Sequence, residues 1–286
     1  MLIFIKLIGD VMKSKVYDCF SFLNELDLLE IRLNILDEYV DKFVITEAKE
    51  GHSGKKKEAN LFHNMERFSK FKDKIIYQVI EKFPDLPSHL KHRFQVNYAL
   101  NVTKNLDENV LIMSGDIDEI PNPEILEKSL RLASEGKFIV FEQKMCYYYL
   151  NVQTEDLHSV AGEKENWLGT RLCKNKLLLK NVLTIDDLRL PHPTSHGLVV
   201  KNGGWHFSHQ GGLDKITEKI ESSLHQEFNN QFIKNNITNA IANFDAGTDL
   251  YFRKAKFKIV KLDNYPEYIV KNKEKYNHML KEWENE

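Results

Sequence analysis

Apolar residues recur along the first half of the chain in two alternating rhythms. Short β-rich runs at Val16 to Phe22, Lys42 to Thr46, Lys74 to Val79 and Val110 to Met113 read as strands. Between them the apolar positions fall at helical spacing, as with Leu26, Leu29, Leu33 and Leu36 in a helix expected from about Glu25 to Tyr39. Further helices are expected near Glu58 to Phe68 and from about Ser88 to Asn105. Strand-helix units in succession predict an α/β fold with a parallel sheet covered by helices. Val110 to Met113 is a continuous apolar run, the pattern of a strand buried on both faces.

Past Pro123 a helix should run to Ser134, and Lys137 to Val152 is a long β-rich stretch dense in Tyr and Phe. The second half is less regular. Trp167-Leu-Gly-Thr-Arg171 precedes a mixed segment, Leu190-Pro-His-Pro193 breaks structure, and Leu198 to His206 resumes β character around Gly203-Gly204. Helices should follow from Leu213 to about Glu227, from about Phe232 to Ala242, and near Lys271 to Trp283. With no repeat and no linker, residues 1–286 read as one domain with an elaborated C-terminal half.

Composition narrows the class. Forty Lys and Arg against 42 Asp and Glu leave a net charge of −2, so no overall field draws the chain to nucleic acid. The apolar start Met1 to Ile8 is broken by Lys6, far short of the roughly 20 residues that cross a bilayer. It also lacks a basic leader and a cleavage site, so a cytoplasmic protein without a membrane span is expected. Cys19, Cys146 and Cys173 are scattered in apolar settings and read as reduced thiols.

The chemistry concentrates in Asn109-Val-Leu-Ile-Met-Ser-Gly-Asp-Ile-Asp-Glu-Ile-Pro121. If the extended conformation persists to Asp118, period-two geometry points Asp116 and Asp118 to one side, at the carboxyl end of a strand where open α/β sheets bind ligands. Two close carboxylates repel unless a cation lies between them, and hard oxygens suit Mn²⁺ or Mg²⁺ holding a substrate diphosphate. The competing reading is a polar loop in which Asp116 caps a turn and Glu119 faces water.

Four segments stand out together: Tyr17-Asp-Cys-Phe-Ser-Phe-Leu-Asn-Glu-Leu-Asp-Leu-Leu-Glu-Ile-Arg32, Phe43-Val-Ile-Thr-Glu47, Gly115-Asp-Ile-Asp-Glu-Ile-Pro121 and Gly203-Gly-Trp-His-Phe-Ser208. In this order they resemble glycosyltransferase family 17, the family of the bisecting β-1,4-mannosyl-glycoprotein N-acetylglucosaminyltransferase. Family-like segments run from about Tyr17 to Pro266-Glu-Tyr-Ile-Val-Lys-Asn272. The resemblance implies a GT-A type, Rossmann-like nucleotide-sugar fold, with about 16–135 as the donor half and about 136–286 as the acceptor half. It also implies a divalent ion, a nucleotide-sugar donor such as UDP-N-acetylglucosamine, a glycan acceptor and inversion at the anomeric carbon. His209-Gln210 departs from the Trp-Cys of the Golgi member, whose anchor and stem have no counterpart here, so its glycoprotein acceptor is not carried over.

On that resemblance Asp118 would ligate the metal, Asp116 would contact the donor ribose or the metal shell, and His206 would be a third ligand. Glu47, Arg93 and the Gly203-Gly204 pair would approach the donor, and Lys55-Lys56-Lys57 its phosphates. Glu227, with His225 beside it, and Asp187 are the candidate catalytic bases, since inversion needs a carboxylate to take the acceptor proton. Tyr148 and Trp167 offer flat faces for the acceptor sugar. Two other readings compete: a carbohydrate-binding or regulatory protein without turnover, and a metal-dependent phosphohydrolase.

Overall fold

The computed structural model describes residues 14–157, 167–179, 183–189 and 197–282. The expected apolar start at Met1 to Ile8, the break at Leu190 to Pro193 and the end of the last helix at Trp283 lie outside these residues.

Strands β1 (Val16–Phe22), β2 (Lys42–Ala48), β3 (Ile75–Ile80) and β4 (Leu111–Ser114) alternate with helices α1 (Leu26–Leu36), α2 (Asn60–His63), α3 (Ser88–Asn97) and α4 (Leu100–Thr103). All four strands are mutually parallel, in the order β3-β2-β1-β4. Their apolar residues pack on both faces, Phe20 and Ile45 with Leu29 and Leu33 of α1 on one side and Cys19, Val44 and Ile112 with Ala99 on the other. That two-sided burial is the reason β4 reads as a continuous apolar run. The expected helix from Glu58 is shorter: α2 is followed by a 3-10 segment, Met65–Phe71.

After β5 (Glu119–Pro121), helix α5 (Pro123–Ser134) starts where Asn122 caps the backbone N–H of Glu124 and Pro123 supplies the first helical residue. The rest of the sheet is mixed. β6 (Ile139–Tyr147), β7 (Val152–Leu157) and β8 (Trp167–Lys174) are joined antiparallel, and β8 runs antiparallel to β4. Short helix α6 (Lys176–Leu179) follows, then β9 (Leu198–Val200) and β10 (Gly204–Ser208), both parallel to β6.

Helices α7 (Gly212–Ser222) and α8 (Gln231–Ala242) close a second core, in which Ile216, Ile220, Ile233 and Ile237 meet Met145, Tyr147 and Tyr148. The chain ends in β11 (Ala255–Ile259), which the apolar pattern did not predict, and α9 (Glu267–Lys271). A 3-10 turn at Asn277–Met279 stands where a long terminal helix was expected. Among the described residues no helix is long and apolar enough to cross a membrane.

β10 pairs with β5 through Gly204↔Pro121, Trp205↔Ile120 and His206↔Glu119. The glycine pair serves this junction rather than a ligand. Gly204 has φ +132°, and a Cβ there would stand 2.1 Å from the Ile120 carbonyl oxygen. A Cβ on Gly203 would meet the Glu142 backbone nitrogen at 2.9 Å. Gly204→Ala is therefore expected to lower the unfolding free energy by at least about 2 kcal/mol, read as a shifted urea midpoint. An unchanged midpoint would mean the junction tolerates a side chain.

Candidate active site

The carboxyl ends of β1 and β2 and the loop after β4 open on a cavity of about 680 Å³, a size suited to a small-molecule ligand. Between β1 and β4 the strand order reverses, the position at which open α/β sheets form a ligand crevice. Phe22, Ala48, Asp116 and Asp118 form one wall, and His206, Lys219, Tyr147 and Tyr251 face them from the C-terminal half.

Asp116 and Asp118 both line the cavity, but not as an extended strand. β4 ends at Ser114, and the Glu119 N–H donates to the Asp116 carbonyl at 3.0 Å, closing a turn. Arg32 holds that turn from beneath. This fully buried side chain of α1 clamps Asp18 through Nε and Nη2, each at 2.8 Å, and its Nη1 donates to the carbonyls of Asp116 at 2.9 Å and Glu119 at 2.7 Å. From the other side the Phe207 N–H donates to the Asp118 carbonyl at 2.8 Å, which sets His206 beside the loop.

Each aspartate has an organic cation. Arg189 grips Asp116 with both terminal nitrogens, Nη2 to Oδ2 at 2.9 Å, and reaches Glu119 Oε1 at 3.3 Å. Burial works against ionisation of Asp116, yet the Arg189 charge prevails and holds its pKa down to about 2. Asp118 is 2% exposed and accepts from Lys219 Nζ at 2.8 Å. There too burial is overcome, by Lys219 and His206, and the carboxyl titrates far below the usual range. Glu119 does not face water as the loop reading required: it is buried, and accepts from Trp167 Nε1 at 3.0 Å. Burial raises its pKa against the pull of Arg189.

Among the described residues no three acid, histidine or cysteine side chains converge as a ready set of metal ligands. Both oxygens of Asp116 accept from Arg189, so the expected place of Asp116 in the metal shell is taken by the guanidinium. Two groups remain suited to a cation. Asp118 Oδ1 is buried without a hydrogen bond and lies 3.4 Å from His206 Nε2. Adjacent ligands of an octahedral ion stand about 3 Å apart, so this orphaned oxygen and the imidazole fit two positions of such an ion, and substrate phosphate suits the others. Trp167 covers the imidazole, with ring centroids 4.3 Å apart.

Several expected residues sit elsewhere. Glu47 is fully buried at the end of β2, where its oxygens accept from Lys57 Nζ, the Asn60 and Leu61 N–H groups and the Tyr77 hydroxyl. It caps α2 and has no oxygen turned to the cavity. Arg93 pairs with Asp187 at 2.7 Å, away from the cavity wall, and Asp187 also accepts from the Thr184 N–H and hydroxyl. Neither a donor contact for Arg93 nor a base role for Asp187 survives that placement. Tyr148 turns inward with φ +63° and its hydroxyl accepts from the Leu250 N–H, so it is Tyr147 that reaches the cavity. Trp167, His206 and Glu227 do line it. Glu227 is largely exposed, and its carboxylate lies 2.8 Å from His225 Nδ1. Its own backbone N–H and His225 hold its pKa below the usual range, so it is ionised at neutral pH. Lys55 pairs with Glu221, and Lys57, bound to Glu47, reaches the rim.

Neutral histidines complete the lining. Burial lowers His52 to about 4, and Gln95 Oε1, whose amide nitrogen donates to the Thr46 carbonyl, lies 2.8 Å from its Nε2. Burial lowers His209 to about 3, with Tyr251 at 3.1 Å. Both have folded-state values below the ordinary 6.5. Their contribution to stability is therefore complete above pH 6.5 and is lost as pH falls toward 4 and 3. Urea midpoints should decline from about pH 6.5 downward, before the carboxylates begin to titrate. A flat profile down to pH 5 would contradict the neutral assignment.

A family model described as Glycosyltransferase family 17 matches residues 9–209. No curated protein matches the chain. Among solved structures, the crystal structure of S. aureus TarS 1-349 is similar at a TM-score of 0.42 and 12% identity, covering 80% of this chain and 71% of that one.

Proposed function

The chain belongs to glycosyltransferase family 17, and from that premise we propose that it is a metal-dependent inverting transferase moving N-acetylglucosamine from a UDP-linked donor to a glycan hydroxyl. The observation that carries the reading is Asp118, whose buried Oδ1 has no hydrogen bond and lies 3.4 Å from His206 Nε2, at the cavity by the carboxyl edge of the parallel strands. A divalent ion bound there, Mn²⁺ or Mg²⁺, would supply Lewis-acid neutralisation of the departing nucleoside diphosphate.

The chain's own groups do the rest. Asp116, fixed by Arg189 at the cavity wall, accepts hydrogen bonds from donor hydroxyls through the outer lone pairs of its carboxylate. Trp167 and Tyr147 provide apolar faces for the sugars. Glu227 at the rim accepts the acceptor proton as the new C–O bond forms and the anomeric bond to phosphate breaks. Residues about 16–135 supply most of the donor side, and about 136–286 the acceptor side together with His206 at the cation seat.

Thermal unfolding with a panel of sugar nucleotides, with and without Mn²⁺, tests the assignment. A ligand bound only by the native state at a hundredfold excess over its Kd adds about 2.7 kcal/mol. UDP-N-acetylglucosamine with Mn²⁺ is expected to give the largest shift, and no response to any sugar nucleotide would sink the donor reading. Glu227→Gln should keep that shift while transfer falls at least about a hundredfold. Full activity in the variant would move the base elsewhere.

A further inference from the structure

Lys219 is a charged group at the cavity that no motif explains. It sits in α7 between Ile216 and Ile220, both buried against Met145 and Tyr147, so the helix is anchored on either side of it. Its Nζ lies 2.8 Å from Asp118 Oδ2, on the carboxylate whose other oxygen is open.

The other cations of the wall are more fully engaged. Arg189 is held by Asp116 and Glu119, Arg253 by Asp249 and the Tyr147 hydroxyl, and Lys57 by Glu47 and the Glu58 carbonyl. An ammonium has three N–H donors, and the hydrogen bond described for Lys219 uses one of them. Its side chain is 31% exposed and lines the cavity, so the remaining donors have access to a ligand there.

Resting on the donor-site reading above, we propose that Lys219 is a catalytic residue that binds the donor diphosphate beside the cation seat and shares Asp118 with the metal. Two consequences of opposite sign follow. Lys219 and a divalent ion compete for the Asp118 charge, so removing the ammonium strengthens metal binding. The same removal weakens binding of a diphosphate, because a charge-assisted donor is lost.

The test uses Mn²⁺ alone and inorganic pyrophosphate alone as calorimetric probes of the full chain. Lys219→Met is expected to bind Mn²⁺ three- to tenfold more tightly and pyrophosphate at least tenfold more weakly, with Lys219→Arg retaining pyrophosphate. A merely structural lysine would weaken both ligands together, and that result, or unchanged pyrophosphate binding, overturns the proposal. Where Lys219→Met fails to fold, Lys219→Gln retains an amide donor to Asp118 and is read by the same opposition. Wild-type binding of the sugar nucleotide, measured in parallel, separates the two ideas. A wild type that binds the nucleotide but not pyrophosphate overturns the role of Lys219 and leaves the donor assignment standing.

Discussion

Asp118→Asn is expected to reduce Mn²⁺-dependent binding of the sugar nucleotide by at least about a hundredfold, since a Lewis-acid contact is worth several kcal/mol. The expectation rests on which oxygens are open. Asp116 has both oxygens in the Arg189 fork, and Glu119 is tied to Trp167 and Arg189, so Asp118 Oδ1 is the open carboxylate oxygen of the loop. The fold should survive. Lys219 loses an ionic partner, but its ammonium is at the cavity wall, where water can replace the carboxylate, and the asparagine oxygen still accepts. A loss of about 1–3 kcal/mol is expected in urea. Calorimetric binding of Mn²⁺ and nucleotide unchanged from wild type would remove Asp118 from the metal site.

Arg32→Met should be the most destabilising single change, at about 3–5 kcal/mol. Asp18 would be left charged in the middle of β1, where neither side chain of the pair has any exposure. The carbonyls of Asp116, Ile117 and Glu119 would lose their shared donor as well. Donor binding should therefore fall even in the molecules that stay folded, because the turn that presents Asp116 and Asp118 is released. Adding Asp18→Asn removes the stranded charge, and the double variant should recover part of the stability but not the donor binding. Urea titrations of the single and double variants check the first half, and thermal shifts with nucleotide check the second. Equal stability of Arg32→Met and wild type would show that the clamp contributes nothing.

These two residues mark how far local pattern carries. The position of Asp118 was legible: a carboxylate just after a continuous apolar strand is expected at the carboxyl edge of the sheet, and there it lines the cavity. Arg32 was visible as a letter in the first family-like segment, three residues after Leu29 and four before Leu36 on the apolar side of the helix, but nothing local names its partners. Its partners are 14 residues away in β1 and 84 to 87 residues away in the loop, and no periodicity encodes such pairings. Arg189 and Lys219 reach the aspartates from 73 and 101 residues downstream, for the same reason. Glu47 misleads in the opposite direction. Its place near the end of β2 is right, yet whether a strand-end acid faces the crevice or caps the next helix depends on where that helix starts, and here Asn60 and Leu61 take its oxygens.

By itself the sequence determined the elements that local physics specifies. The two-sided burial of β4 is written in its unbroken apolar run, and the leucine spacing of α1 and the Asn-Pro start of α5 define helices without help from distant residues. It also determined that acidic chemistry stands at the end of β4. The tertiary structure alone decided how that chemistry is neutralised and aimed. β11 alternates buried and exposed residues over only five positions, and it becomes a strand because β7 offers an edge to pair with. The Gly203-Gly204 pair looks like room for a ligand until Ile120 and Glu142 are seen filling it. Charge pairing and close packing depend on distances between chain segments, which one-dimensional spacing does not contain.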